Sequence, residues 1–133
     1  MYTLIPIGIV KKQGDDTWIE IYDEYRDALL GLDGFSHIYV LYWFHENDTP
    51  AKRKTLQVHP RRDPNIPLTG VFATHSPLRP NLIALTRCKI LSVQETRIQL
   101  EEIDALDGSP VIDIKCYIPG GVADGDVRVP AWV

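Results

Sequence analysis

The sequence predicts an all-β protein, mostly strand with one short helix, folded as a small, mostly antiparallel barrel or sandwich. Ten prolines and nine glycines divide the 133 residues into short segments, most of them rich in β-branched and aromatic residues. Only one window has a clear helical pattern. A chain of this length fits one domain, so we expect residues 1–133 to form a single unit, with 120–133 as a docking C-terminal tail.

The first half is predicted to contain a hairpin, the helix and a central strand. Leu4–Val10 and Thr17–Tyr22 pair around a Gln-Gly-Asp-Asp turn. Asp23–Leu30 is the helical window, because its acidic first turn suits the helix dipole and a glycine follows it. Phe35–Phe44 is β-branched and aromatic on both faces, which predicts a central strand buried on both sides.

The second half is predicted to contain short strands and a second hairpin. Leu56–His59 and Gly70–Thr74 are the short strands, and the segment between them is irregular. Leu82–Val93 and Arg97–Ile103 form the hairpin. In the last strand, Val111–Ile118, alternation predicts that one set of side chains faces the core and the other presents polar groups. The core set is Ile112, Ile114, Cys116 and Ile118, and the polar set is Asp113, Lys115 and Tyr117.

The formal net charge of −4 argues against a general nucleic-acid coat protein, because such domains are usually basic. A local basic patch nevertheless lies in one polar segment: Lys52, Arg53, Lys54, Arg61 and Arg62. It is either a solvated loop or a surface that contacts RNA phosphates. No apolar run approaches the roughly 20 residues of a membrane span, and basic residues follow the N-terminal apolar stretch instead of preceding it. We therefore expect a cytoplasmic protein without a membrane contact.

Several common kinds of site have little support. Cys88 and Cys116 lie in apolar runs outside any Cys/His cluster, which predicts small buried hydrophobes and neither zinc nor redox chemistry. The spacing of the Asp residues between 104 and 113 fits no standard calcium loop, so we expect no metal. His37 on a buried strand is typical of a core histidine. The glycine-rich motifs of Rossmann and P-loop proteins are missing from the sequence.

The most unusual stretch is Gly70–Leu85, GVFATHSPLRPNLIAL. Two prolines, three residues apart, fix φ and stiffen a loop that carries His75, Ser76, Arg79 and Asn81. Polar groups on a rigid loop suit a ligand site, because little ordering entropy is lost on binding. A rigid structural turn with polar groups in water explains the same pattern.

This stretch resembles the signature FATRSPxRPNPIGLS of the TsaA-like family, also called TrmO. Other segments are also similar to the family: LIPIGIV at 4–10 to its opening strand, and GFSH at 34–37 with WFH at 43–45 to its central strand. Asp104–Tyr117 (DALDGSPVIDIKCY) resembles the family's DxxDGTPVxDIKPY. The resemblance covers most of the chain.

The resemblance implies a small single-sheeted antiparallel β-barrel that binds S-adenosyl-L-methionine and forms homodimers whose interface shapes the site. It also implies methylation of N6 of threonylcarbamoyladenosine beside the anticodon of a tRNA, with the basic patch as a phosphate contact. By analogy, the cofactor-binding residues are His45, Glu46, His75, Leu85, Asp104, Asp107, Gly108 and Ser109. The residues that match the family's RPN and DIKPY are candidates for catalysis: Arg79, Asn81, Asp113, Lys115 and Tyr117. Asp113 and Lys115 could instead form a structural ion pair.

The sequence departs from the family within its motifs. His75 replaces Arg, Leu82 replaces Pro, Ala84 replaces Gly and Cys116 replaces Pro. A histidine that is mostly neutral at pH 7 cannot act as the permanent bidentate cation that it replaces. Three functions therefore remain open: a tRNA methyltransferase, a module that binds S-adenosylmethionine or another adenosine ligand with altered or lost activity, and an interaction protein.

Overall fold

The protein, described here by a computed structural model for residues 1–121 and 124–133, is a closed six-stranded antiparallel barrel. Its strands are β1 (Gly8–Gln13), β2 (Asp16–Ile21), β3 (His37–Trp43), β6 (Ile83–Gln94), β7 (Arg97–Leu100) and β8 (Pro110–Cys116). They lie in the order β1-β2-β7-β6-β3-β8, and β8 closes the barrel against β1. The separate strands β4 (Gln57–Val58) and β5 (Thr69–Gly70) pair with each other. The predicted fold class is confirmed.

Helical structure is limited to single turns and short segments in the part of the chain that the structure describes. The α-helix α1 (Pro50–Arg53) lies inside the basic segment, and Thr49 caps it by accepting a hydrogen bond from the Lys52 backbone N–H. The 3-10 helices are Asp23–Leu29, Leu32–Gly34, His45–Asn47, Pro60–Arg62, Val71–Ala73 and Asp124–Asp126. None of the helices within 1–121 and 124–133 is long and apolar enough to cross a membrane.

The core lies inside the barrel, where alternate residues of each strand point inward. Ile19, Ile38, Val40, Ile98 and Val111 are fully buried there. Three further residues, Ile66, Val71 and Leu82, are buried outside this cluster, beside the segment from 60 to 82. Residues 74–81, called the motif loop below, therefore lie beside an apolar anchor that includes Leu82.

Both predicted hairpins are present, and each has a residue with positive φ in its turn. β1 pairs with β2 from Gly8–Ile21 to Gln13–Asp16, and Gly14 has φ +58°. β6 pairs with β7 around Glu95, whose φ is +53°. At the other end of the first hairpin Gly8 is required, because a Cβ there would lie 2.5 Å from the Glu20 carbonyl oxygen.

Two predictions for the N-terminal third were wrong in detail. β1 begins at Gly8 and not at Leu4, since Pro6 has no N–H to continue the ladder, and Leu4 is about half exposed. The segment Asp23–Leu29 is a 3-10 helix whose preceding residue, Tyr22, provides no side-chain cap. Seven residues without a cap are too few to make an α-helix stable by themselves.

The central strand was predicted to be buried on both faces, and only its inner face is. β3 alternates between buried Ile38, Val40 and Tyr42 and partly exposed residues such as Tyr39 and Leu41. It is nevertheless central, since it pairs with β6 on one side and β8 on the other. The apolar outer face stays partly exposed, because no second layer of structure within the described residues covers it.

The predicted strand Gly70–Thr74 was wrong beyond Gly70, and the predicted core face of β8 is confirmed for Ile114 but was wrong for Ile112 and Ile118. Pairing ends at Gly70, after which Val71–Ala73 turns and the Thr74 hydroxyl donates to the Val71 carbonyl at 2.8 Å. In β8, a bulge at Ile112 shifts the alternation, so Val111 and Ile114 both face inward. Ile118 lies beyond the strand and is 71% exposed, while Cys116 is half-buried. The second hairpin strand ends at Leu100 rather than Ile103.

Candidate functional site

A cavity of about 170 Å³ lies at the end of the barrel where β3 leaves the sheet. One wall is the segment after β3, with His45, Glu46 and Asn47, and another is the β7–β8 loop, with Asp104 and Ser109. Four of the eight predicted cofactor-binding residues therefore meet here: His45, Glu46, Asp104 and Ser109. Pro77 of the stiffened loop also lines the cavity, so three of the segments that resemble the family meet there.

The β7–β8 loop is held rigidly against β1. The Asp107 carboxylate accepts a hydrogen bond from the Lys12 backbone N–H at 2.8 Å, and Lys12 Nζ donates to the Ile103 carbonyl at 2.7 Å. Gly108 has φ +85° and donates its N–H to the Val10 carbonyl at 2.8 Å. Asp107 and Gly108 thus hold the loop in place and do not line the cavity. The buried Ser109 hydroxyl donates to the Leu106 carbonyl at 2.7 Å.

The motif loop is fixed by its own side chains. Thr74 Oγ1 accepts from the Ser76 N–H at 3.1 Å, and Ser76 Oγ accepts from the Leu78 N–H at 3.1 Å. Arg79 Nη1 donates to the carbonyls of Thr74 and Ser76 at 3.2 and 3.1 Å. Part of the Arg79 guanidinium is therefore used to close the loop. His75 is exposed and does not line the cavity.

The remaining candidates lie away from the cavity, three of them around the outer face of the sheet. Leu85 is 61% exposed and pairs with Leu41, whose other neighbour is Asp113. Lys115 is exposed opposite Tyr39. Asp113 Oδ1 accepts a hydrogen bond from the Ile114 N–H at 2.8 Å. Two ion pairs are found within the described ranges, and Asp113–Lys115 is not one of them.

An aromatic cluster continues this outer face. Tyr117 meets the ring edges of His37 and Tyr39 at centroid distances of 6.3 and 5.5 Å, and the Arg87 guanidinium lies 5.0 Å from its centroid. His37 is half-buried, and its Nδ1 is 2.7 Å from Ser36 Oγ. The outer face thus combines exposed aliphatic side chains with aromatic rings and cations. Asn81, the last predicted catalytic residue, is exposed at the start of β6.

The buried groups beneath the cavity are protonated at neutral pH. Burial raises the pKa of Tyr42, whose hydroxyl shares a hydrogen bond of 3.1 Å with Thr86 Oγ1, and the charge of Asp104 raises it further. Burial likewise raises the pKa of the Cys88 thiol to about 12, with Asp104 and Glu102 contributing in the same direction. A thiol with this pKa is a poor nucleophile, in agreement with its predicted structural role.

A larger cavity of about 420 Å³ opens elsewhere, between β8 and the 3-10 helices that follow β2. Its lining is mainly aliphatic and aromatic, with Asp113 and Cys116 at one side. The smaller cavity is the better candidate, because several polar and carboxylate groups converge there, and such groups fix the orientation of a ligand.

The basic patch adjoins the smaller cavity. Lys52 Nζ lies 3.4 Å from the Glu46 carbonyl oxygen, and Lys54 is exposed nearby. Arg61 and Arg62 both have φ 57°, and Arg61 donates to the Trp132 carbonyl at 2.6 Å. The predicted docking tail thus touches the patch at Trp132, while its residues 122 and 123 lie outside the described residues.

Comparison with known proteins assigns the family. Residues 4–121 match the model of the tRNA-methyltransferase O (TrmO) N-terminal domain. The chain belongs to the TrmO family. A probable S-adenosyl-L-methionine-binding protein of Methanocaldococcus jannaschii is 48% identical over 117 residues, which cover 88% of this chain and 93% of that protein. The human tRNA (adenine(37)-N6)-methyltransferase is 43% identical over 98 residues, which are 74% of this chain and 22% of the human protein.

The structure is also similar to solved TrmO structures. A crystal structure of TrmO from Pseudomonas aeruginosa has a TM-score of 0.72 and 28% identity, covering 96% of this chain and 61% of that chain. A second crystal structure of TrmO has a TM-score of 0.71 and 29% identity, covering 97% and 63%. This chain therefore spans about three fifths of the solved TrmO chains it matches, but nearly all of the archaeal relative.

Sequence reasoning missed two features of the site. Pro77 was noted for its rigidity and turns out to line the cavity, together with Asn47 and Leu106. Asp48 bonds to the Trp43 indole N–H at 3.0 Å and pairs with Arg53 at 3.3 Å, which no motif indicated. A lone Asp in a polar segment carries no signal, since its partners are known only once the fold is known.

Proposed function

We propose that this protein is an S-adenosylmethionine-dependent methyltransferase that acts on a tRNA adenosine, with N6 of threonylcarbamoyladenosine as the acceptor. The observation that carries the proposal is the convergence of His45, Glu46, Asp104 and Ser109 on one cavity. These positions come from two segments far apart in sequence, and each matches a cofactor-binding position of the TrmO family. The family match and the naming of its relatives support the same cofactor.

The groups around the cavity suit this cofactor. When bound, S-adenosylmethionine supplies an electrophilic methyl group on a sulfonium centre. The Glu46 and Asp104 carboxylates are suited to hold ribose hydroxyls or the ammonium group. The aromatic residues Trp43 and Phe44 also line the cavity, and aromatic rings attract cations, although Arg53 already lies over the Trp43 ring. The chain's contribution is then mainly orientation of the two reactants and exclusion of water.

The cavity supports a homodimer as the active form. At about 170 Å³ it is smaller than the roughly 300–1,000 Å³ pockets that enclose ligands of drug size, so one copy covers only part of the cofactor. The uncovered outer face of β3 and β6 carries the exposed Leu85, which does not line the cavity of its own chain. A second copy on this face would bury its apolar residues and could bring its Leu85 to the cofactor.

A tRNA fits the position of the basic patch. Lys52 and Lys54 lie beside the cavity wall, so an RNA held by its phosphates there places nearby bases at the cavity mouth. Arg62 extends the patch. The protein is then a cytoplasmic tRNA-modifying enzyme, and residues 124–133, which touch Arg61, form a tail at the rim of the RNA surface.

The test is a methylation assay with purified protein, S-adenosylmethionine and tRNA that contains threonylcarbamoyladenosine. We expect the modified nucleoside to gain one methyl group by mass spectrometry after digestion. An unmodified transcript of the same tRNA is the matched control and should gain none. Methylation of both substrates, or of neither, would refute the proposed acceptor.

A second function is favoured by one observation. His75 stands where the family signature has Arg, so the motif loop carries one permanent positive charge fewer than that signature. A binding module with altered or lost activity would show this feature. Calorimetric binding of S-adenosylmethionine without turnover on any tRNA would support this module, whereas binding with turnover rejects it.

A further inference from the structure

Arg53 joins three segments that surround the candidate cofactor cavity. Its Nε donates to the Pro80 carbonyl at 2.9 Å, and its Nη1 pairs with Asp48 Oδ1 at 3.3 Å. The guanidinium carbon lies 5.4 Å from the centroid of the Trp43 ring, over its face. Trp43 in turn donates its indole N–H to Asp48 Oδ2 at 3.0 Å. These four residues form a connected polar and aromatic cluster.

The cluster lies where the backbone pairing of β3 and β6 ends. The last backbone hydrogen bond at this end runs from the Phe44 N–H, just after β3, to the Leu82 carbonyl, just before β6, at 2.9 Å. Beyond this bond, the segment that follows β3 forms the cavity wall His45–Asn47. The segment that precedes β6 is the motif loop, which contains Pro77. Arg53 therefore bridges the segment after β3 and the loop that carries Pro77 and Pro80, just after the ladder stops.

The local structure fixes the position of Arg53. The Arg53 N–H donates to the Thr49 carbonyl at 3.0 Å, and the Thr49 hydroxyl caps the same turn. The side chain is thus presented from a capped helical turn and not from a free loop. Its planar guanidinium can stack and donate in fixed directions at the same time, which a lysine ammonium cannot do.

We propose that Arg53 is a positioning residue that latches the motif loop to the segment after β3 and so sets the width of the cofactor cavity. This inference rests on the proposed function for its effect on the cofactor, but not for its effect on the loop. It replaces the sequence-based expectation that Arg53 contacts RNA phosphates. Since Asp48 and Arg53 are both about 40% exposed, the ion pair alone contributes little, and the Pro80 bond and the stacking carry the latch.

The first test measures the loop directly by amide hydrogen exchange. The Ser76 and Leu78 N–H groups, bonded within the loop, report its opening. We expect Arg53→Ala and Arg53→Lys each to speed exchange at both amides about tenfold, because the bond to Pro80 is lost. Lys54→Ala, one residue further on the same turn, is the matched control and should leave both rates unchanged. Unchanged rates in Arg53→Ala would overturn the latch.

The second test separates positioning from phosphate contact. We expect Arg53→Lys to weaken S-adenosylmethionine binding about tenfold by calorimetry, and Arg53→Ala to leave the slope of log K for tRNA against log salt unchanged. Lys54→Ala should show the reverse, with the slope reduced by about one and cofactor affinity retained. Full cofactor affinity in Arg53→Lys, or a reduced slope in Arg53→Ala, would contradict the proposal. If the wild-type protein binds no S-adenosylmethionine, the proposed function fails, and the exchange rates alone decide on the latch.

Discussion

Leu82 anchors the motif loop in the protein interior, and its truncation tests this role. Its side chain is fully buried, and its carbonyl accepts the last β3–β6 hydrogen bond, so the loop cannot move outward without exposing it. Leu82→Ala removes three buried carbons and leaves a cavity, which costs about 3 kcal/mol of unfolding free energy. For a chain of 133 residues this lowers Tm by about 10 °C. Burial of this side chain explains why a large aliphatic residue stands where the family signature has proline.

The assay is urea unfolding followed by tryptophan fluorescence, with thermal unfolding as a second readout. Leu91→Ala is the matched control, because Leu91 lies on β6, the strand that directly follows Leu82, and is 56% exposed. It should change the free energy of unfolding by less than about 0.5 kcal/mol. Equal destabilisation by Leu82→Ala and Leu91→Ala would refute the view that the loop is anchored by a buried leucine.

Two other stability predictions follow from the fold. Gly8→Ala places a methyl group 2.5 Å from the Glu20 carbonyl oxygen and should lower the free energy of unfolding by at least about 2 kcal/mol. Gly70→Ala, which has open space around its Cβ, is the control and should lower it by less than about 0.5 kcal/mol. Equal losses in urea unfolding would show that β1 and β2 are not so close. The raised pKa of Cys88 means that the unfolded thiol loses its proton at a lower pH than the native one. Stability should therefore fall between about pH 9 and pH 12, by up to about 1.4 kcal/mol per pH unit, and Cys88→Ala should remove that component; an unchanged alkaline slope in the variant would contradict the assignment.

Composition and local pattern predicted the short antiparallel strands, because strand signals depend on neighbouring residues, whereas the choice of a barrel over a sandwich followed from the family resemblance. The hairpin turns at Gly14 and Glu95 and the short strand Gln57–Val58 all follow from turn residues and β-branched runs. The convergence of His45 with Asp104 followed from resemblance to a family and not from the residues alone. Such a pair, distant in sequence, has no local signal.

The errors arose where tertiary structure overrides local pattern. A bulge at Ile112 changed which β8 residues face the core, and a one-residue shift of this kind is invisible to an alternation count. Phe35–Phe44 has the composition of a doubly buried strand, yet one chain provides only one buried face. Its composition is explained if a second copy covers the other. The expectation that Arg53 contacts RNA rests on charge alone, and charge in sequence does not show that the Pro80 carbonyl lies within reach of this side chain.

Leu82, Ala84 and His75 show that departures from a family motif have different physical meanings. Leu82 and Ala84 are buried, so these substitutions are explained by packing. His75 is exposed on the rigid loop, where packing does not determine its identity. The replacement of Arg by His75 is therefore the departure that packing does not explain.

The central claim is that the cavity between the segment after β3, the motif loop and the β7–β8 loop holds S-adenosylmethionine. A crystal structure of the protein with S-adenosylmethionine soaked in tests it most directly. The account predicts cofactor density beside His45, Glu46 and Asp104, with Leu85 of a second copy closing the site. Density in the larger cavity beside Cys116, or none at saturating cofactor, would contradict it.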